Sequence, residues 1–131
     1  MLMEEIMNKG QVLEDLIKKD LLSRLENGKR FYNSVAGNIL FKDKHRVERE
    51  IDDFAIHHSY GKKRYAIVVE CKLSDRRTKA LKQLWYAREH MREEYPDVRV
   101  FFMYAHNYNR KRKTFIIEWI MDKELDKVRG G

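Results

Sequence analysis

Apolar residues along this chain recur with two different periods, and the switches between them mark out its elements. Over residues 3–27, Ile6, Leu13, Ile17, Leu21 and Leu25 fall at helical spacing, and Gly28 supplies a natural stop. "SVAGNILF" follows, read as a turn at Gly37 and a strand through Ile39 and Phe41. "REIDDFAIHH" alternates as a second strand, and "SYGKK" reads as a turn on Gly61. "RYAIVVECKL" is a third strand, whose nearly unbroken apolar run predicts burial on both faces. The period then lengthens. From Arg77 to about Tyr95, Ala80, Leu84, Ala87 and Met91 share one helical face. "YPD" closes that helix, because the residue before proline avoids helical geometry. "VRVFFMYA" is a fourth strand, "HNYNRKRK" a polar basic loop, "TFIIEWIM" a fifth strand, and "DKELDKVRGG" a charged tail prone to fray. The order of helix, three strands, helix and two strands predicts an α/β fold, with one mixed central sheet flanked by helices.

Composition narrows this picture. The 131 residues suit one domain, 1–131, with a real core, and they contain no repeat or low-complexity tract. Cys71 is the only cysteine, which excludes an internal disulfide and a zinc site with two thiolates. It also points to a reducing, intracellular and cytoplasmic setting. The early acids of "MLMEEIMNKGQ" exclude a signal peptide, and no apolar run reaches the length of a membrane span. Charged residues make up 37% of the chain and its net charge is +7, a balance that favours a polyanionic partner, nucleic acid before an anionic membrane.

The stretch "VVECKLS", residues 68–74, carries the most informative chemistry. Val68, Val69 and Cys71 suit a buried strand, yet Glu70 and Lys72 interrupt it. Two residues apart on a strand, they point to the same face. A buried carboxylate and ammonium cost several kcal/mol each unless paired or bound. One reading is an ion pair at a strand end or a wet sheet edge. The other comes from "REIDDFAI" upstream: a hairpin through "SYGKK" brings Asp52 or Asp53 towards Glu70. Carboxylates sharing a site repel, and a divalent cation removes the conflict. Magnesium suits such hard oxygens, leaving positions for water and a substrate phosphate. The backbone carbonyl of Cys71 offers another oxygen. Lys72 would orient the attacking water, help deprotonate it, or offset charge on the phosphate.

"EIDDFAI", a turn and "YAIVVECK" resemble the PD-(D/E)XK nuclease superfamily, whose signature is an aspartate on one strand and Glu-x-Lys on the next. The match covers residues 50–72 directly, and the element order extends it through residue 105. The resemblance implies a restriction-endonuclease-like core, αβββαβ, here with an extra C-terminal strand. It implies a metal-dependent DNA endonuclease that hydrolyses phosphodiester bonds with Mg²⁺, for which Mn²⁺ can substitute. The Glu-Ile-Asp pattern favours Asp52 as ligand, with Asp53 the alternative. Archaeal Holliday-junction resolvases of this superfamily carry Gly-x-x-x-Glu in the first helix, a spacing met here by Gly10 and Glu14. RecB-like members carry a glutamine on the helix after the lysine strand, matched by Gln83. Ile51 stands where proline gives the superfamily its name, and Ala87 where the RecB-like pattern has tyrosine. The implied catalytic set is Asp52, Glu70, Lys72 and Gln83. The implied metal set is Glu14, Asp52, Glu70 and Cys71, with Glu48 and Glu50 in solvent or helping a second metal.

Basic residues give candidate DNA contacts. Arg76, Arg77, Lys79 and Lys82 gather at the start of the second helix, where a helix N-terminus already favours anions. Tyr108 precedes Arg110, Lys111, Arg112 and Lys113, an arrangement apt for phosphate contact and base stacking. His57 and His58 read as surface residues beside a turn. Trp85 and Tyr86 read as packing or subunit contacts. Phe115, Ile117 and Trp119 alternate onto one face of the last strand. That face either packs on the chain's own core or supports a homodimer, which a resolvase needs to cut two strands. The rival functions are a RecB-like nuclease on DNA ends or single strands, a non-catalytic nucleic-acid-binding protein of the same fold, and a protein-interaction domain.

Overall fold

The computed structural model describes residues 9–26, 34–57 and 64–128. The expected helical start with Ile6, the Gly28 stop, the "SYGKK" turn, His58 and the Gly-Gly end lie outside them. So do the side chains of Leu25 and His57.

The elements run α1 (Lys9–Glu26), β1 (Ser34–Lys42), β2 (Glu48–His57), β3 (Arg64–Cys71), α2 (Arg77–Glu94), β4 (Val98–Asn109), β5 (Thr114–Ile120) and α3 (Asp122–Leu125). The five strands form one sheet in the order β1-β2-β3-β4-β5. Neighbours are antiparallel except β3 and β4, which α2 connects in parallel. The fold is therefore α/β, with a mixed sheet flanked by helices. No described helix is long and apolar enough to cross a membrane.

Each face of the sheet has its own core. Leu13, Ile17 and Leu21, at i, i+4 and i+8 of α1, pack on Ala55, Val69, Cys71, Met103 and Ala105. The three α1 residues are at most 3% exposed, and full burial of such a side chain contributes roughly 1.5–3 kcal/mol. On the other face, Ala80, Leu84, Ala87 and Met91 of α2 pack on Ile56, Ala66, Val68, Phe102 and Tyr104. β3 thus meets a core on both sides, as its apolar run demands. Tyr86 is buried and Trp85 half-buried in the α2 cluster, so both are packing residues.

Three expectations need correction, and one choice between two readings is decided. Gly37 and Asn38 make no turn; they lie within β1, and Asn38 is threaded through the strand at φ 52°. Asparagine tolerates that left-handed region better than most residues. "HNYN" is not loop: β4 continues to Asn109 and leaves only 110–113 as a turn. The tail does not fray at residue 122. Leu125 of α3 is fully buried, and Asp122 and Asp126 bond the guanidinium of Arg88. Phe115 and Ile117 pack against this chain's own α1-side core, which leaves Trp119 54% exposed.

Candidate metal centre

The candidate residues gather where β2 and β3 part. Pairing runs from His57↔Tyr65 to Asp53↔Val69. Beyond it, the Cys71 N–H donates to Asp52 Oδ2 at 2.7 Å. The side chain thereby satisfies a donor that would otherwise be buried without a partner. Lys72, the residue just after β3, places its Nζ 3.2 Å from Glu70 Oε1, the same-face pairing that alternation requires. The loop after β3 is fixed from below. Lys72 N–H donates to Ala105 O at 2.9 Å and Tyr108 N–H to Leu73 O at 3.1 Å. Buried Tyr104 accepts from Arg76 N–H at 2.7 Å and donates to Asp75 at 3.0 Å.

From α1, Glu14 sits beside the buried Leu13 and so projects at the edge of the helix–sheet contact. One oxygen each from Glu14, Glu50 and Asp52 lie within 4.8 Å of one another, a spacing that could hold a metal ion. Asp52 is the hub, in hydrogen-bonding reach of Glu14, Glu50 and Glu70. Glu70 flanks the triad, held by Lys72. Asn38 Nδ2 donates at 2.9 Å to both Glu14 Oε2 and Glu50 Oε1.

Electrostatics follows from this crowding. Burial pushes the Asp52 carboxyl far above the usual range, and the charge of Glu70 pushes it further. Burial lifts Glu70 to about 7, although Lys72 and a hydrogen bond with Asp52 pull it down. Glu14 is raised by burial as well. Asp53 is 1% exposed and raised to about 8 by burial and then by Glu14. It lies on the α1 side, with Oδ2 3.8 Å from Cys71 Sγ. Burial also drives the Cys71 thiol upward, so it stays protonated and is no thiolate ligand. Cys71 meets the carboxylates through its backbone N–H on Asp52, whereas the oxygen expected of it as a ligand is its backbone carbonyl.

The remaining candidates divide. Gln83 Oε1 faces Arg49 Nη1 at 3.4 Å, and Arg49 also donates to Asp43 at 2.9 Å and stacks on Tyr86. Gln83 therefore belongs to that cluster, and its hydrogen-bond partner among the described residues is not a carboxylate of the triad. Arg77 is engaged by Glu118 at 2.8 Å and by Glu124. Tyr108 is half-buried against the α1-side core. Arg76, Lys79 and Lys82 are exposed, as are Arg110–Lys113. The tip of the β4–β5 turn is shaped by Asn109 Oδ1, which accepts from Lys111 and Arg112 N–H at 3.1 and 3.0 Å. Because β3 and β4 are parallel, this tip and the start of α2 lie at the same end of the sheet as Glu70. A cavity of about 280 Å³ lies at the other end, lined by Arg88, Val98, Phe102 and Met121 among others, and none of Glu14, Glu50, Asp52 and Glu70 lines it.

One residue, Asn38, escaped the sequence reading, which leaves Glu50 either in solvent or helping a second metal. Glu50 is half-buried in the triad, not free in solvent. Asn38 carried no signal beyond a Gly-Asn pair, which resembles a turn. Comparison of the chain with family models, with curated proteins and with solved structures gave no match.

Proposed function

We propose that this chain is a magnesium-dependent deoxyribonuclease of PD-(D/E)XK type, hydrolysing phosphodiester bonds in DNA. The observation that carries the reading is the meeting of Asp52, Glu70 and Lys72 from adjacent strands with Glu14 from the packed helix. The Asp52 and Glu70 carboxyls are buried, that of Glu14 is half-buried, and all three are shifted upward, a conflict that a divalent cation relieves. The element order supports a restriction-endonuclease-like core, with β5 and α3 as additions.

The donor set fits a hard cation: carboxylate oxygens, no thiolate, and no histidine among the cluster. Asp52, Glu14 and Glu50 would hold the ion, with Glu70 at its flank. Once bound, magnesium supplies a lowered water pKa and neutralises phosphate charge. The chain's own groups do the rest. The Cys71 N–H fixes Asp52. Lys72 is held by Glu70 with its side chain 26% exposed, so its ammonium is available to orient water and stabilise charge on the phosphate. Arg76, Lys79, Lys82 and the 110–113 tip supply phosphate contacts around the site. Gln83 acts, on this reading, through Arg49 and not on the water. A junction-cutting enzyme needs two such centres, so the reading extends to a homodimer acting as a structure-selective endonuclease.

The test is a panel of junctions, flaps, linear duplex and single strands, with magnesium, with manganese and with EDTA. Metal-dependent cleavage is expected, abolished by Glu70→Ala while DNA binding survives on the basic surface. No cleavage of any substrate, or full activity of Glu70→Ala, would remove the enzyme reading and leave a DNA-binding protein.

A further inference from the structure

Among the described residues, Asn38 is a neutral side chain that touches two members of the carboxylate triad. Its Nδ2 lies 2.9 Å from Glu14 Oε2 on α1 and 2.9 Å from Glu50 Oε1 on β2. An amide nitrogen carries two hydrogens, one for each carboxylate. The opposite amide orientation would set its oxygen against both acids, so the contacts themselves assign the nitrogen. The bonds join elements that are distant in sequence, with separations of 24 and 12 residues.

The backbone is arranged for this contact. The ladder between β1 and β2 includes Gly37↔Asp53 and Ile39↔Ile51, which sets Asn38 opposite Asp52. At φ 52° Asn38 leaves the extended conformation there. The left-handed region is unfavourable for most residues and easiest for glycine and asparagine. Glycine would satisfy the backbone without an amide. Gly37 beside it is close-packed as well: a Cβ there would meet Asp53 Oδ1 at 3.3 Å and the Asp52 carbonyl at 3.4 Å. The β1 backbone therefore runs directly against the two aspartates, and Asn38 is the point at which β1 reaches the site.

We infer that Asn38 is a positioning residue: its amide holds one oxygen each of Glu14 and Glu50, leaving the other oxygen of each for the cation. This rests on the metal-dependent reading above. The physical advantage is preorganisation. Without a partner, Glu14 and Glu50 would swing apart to relieve repulsion, and cation binding would have to draw them back. Outer partners that orient ligating side chains typically change metal affinity 10–100-fold. Alternation along β2 puts Glu50 on the face of Asp52, and the Asn38 amide ties it there to Glu14.

The experiment is titration calorimetry of the full chain with magnesium and with manganese, for wild type, Asn38→Gly, Glu50→Gln and the double variant. Asn38→Gly keeps the left-handed backbone and removes only the amide. It should weaken cation affinity about 10-fold or more, with an unchanged circular dichroism spectrum. The double variant should lose much less than the sum of the single losses, because Asn38 acts through Glu50. Wild-type affinity in Asn38→Gly, or strictly additive losses, would overturn the role of Asn38 alone. No cation binding by wild type would overturn the metal centre and this inference with it. A purely architectural role would lower the melting temperature in EDTA while leaving cation affinity unchanged, and that result too would overturn it.

Discussion

Replacing Glu70 by glutamine should remove a defined part of the pH dependence of stability. In the folded chain Glu70 is raised from 4.5 to about 7, chiefly by burial. Its side chain is only 7% exposed, so solvent screening discounts the effect little. A carboxyl whose folded pKa lies above its unfolded value binds its proton more tightly in the native state. The associated stability is complete below about pH 4.5 and is lost as pH rises through about 7. At 1.36 kcal/mol per pKa unit, the change is on the order of 3 kcal/mol, a large fraction of the 5–15 kcal/mol that holds a typical domain together. Asp52 and Asp53 are shifted in the same direction and steepen the wild-type curve further. The difference between wild type and Glu70→Gln reports Glu70 together with the lift its charge gives to Asp52. The assay is urea unfolding in EDTA at half-unit steps from pH 4.5 to 8. Wild type should lose stability towards high pH, and the variant should lose about 3 kcal/mol less across the range. Adding magnesium should restore wild type at pH 8 and affect the variant less. Parallel pH profiles for the two proteins would refute the argument, because they would mean that Glu70 titrates in the native state as it does in the unfolded one.

Neutralising Arg110, Lys111, Arg112 and Lys113 together should weaken DNA binding and flatten its salt dependence. Four lost phosphate contacts should reduce the slope of log K against log[salt] by roughly 3–4, and an unchanged slope would mean that the tip is a solvated turn away from DNA. Arg88→Ala should destabilise the chain by about 2 kcal/mol in urea, mostly through lost packing of a buried side chain, because its partners Asp122 and Asp126 are exposed enough to regain water. Faster amide exchange at Leu125 should accompany the loss, and a wild-type midpoint would show that Arg88 does not pin α3. Sedimentation at micromolar concentration, with and without a four-way junction, should reveal a homodimer; a strict monomer in both states would end the resolvase version and favour a nuclease acting on ends or single strands.

The types and order of the elements were legible in the chain because hydrophobic period is a local property. Leu13, Ile17 and Leu21 mark one face of α1 wherever that helix packs, and the apolar run before Glu70 requires a strand covered on both sides. The pairing of Glu70 with Lys72 was equally legible, since residues two apart on a strand must share a face. The tertiary structure decided which carboxylates meet. Glu50 and Asp52 alternate with Ile51, but nothing local says that β2 and β3 part beyond Asp53↔Val69 or that α1 lays Glu14 over the gap. Asn38 looked like half of a turn, because Gly-Asn has the same backbone tolerance in a hairpin as within a distorted strand. Arg77 looked like a phosphate contact, because its charge is visible in sequence and its partners Glu118 and Glu124, more than forty residues away, are not. Leu125 sat in a run of charges, and only its complete burial in the α2-side core shows that the segment after β5 packs on the sheet. Periodicity depends on neighbours along the chain, and so one sequence suffices to read it. A site depends on register, strand separation and long-range ion pairs, which exist only once the chain has folded.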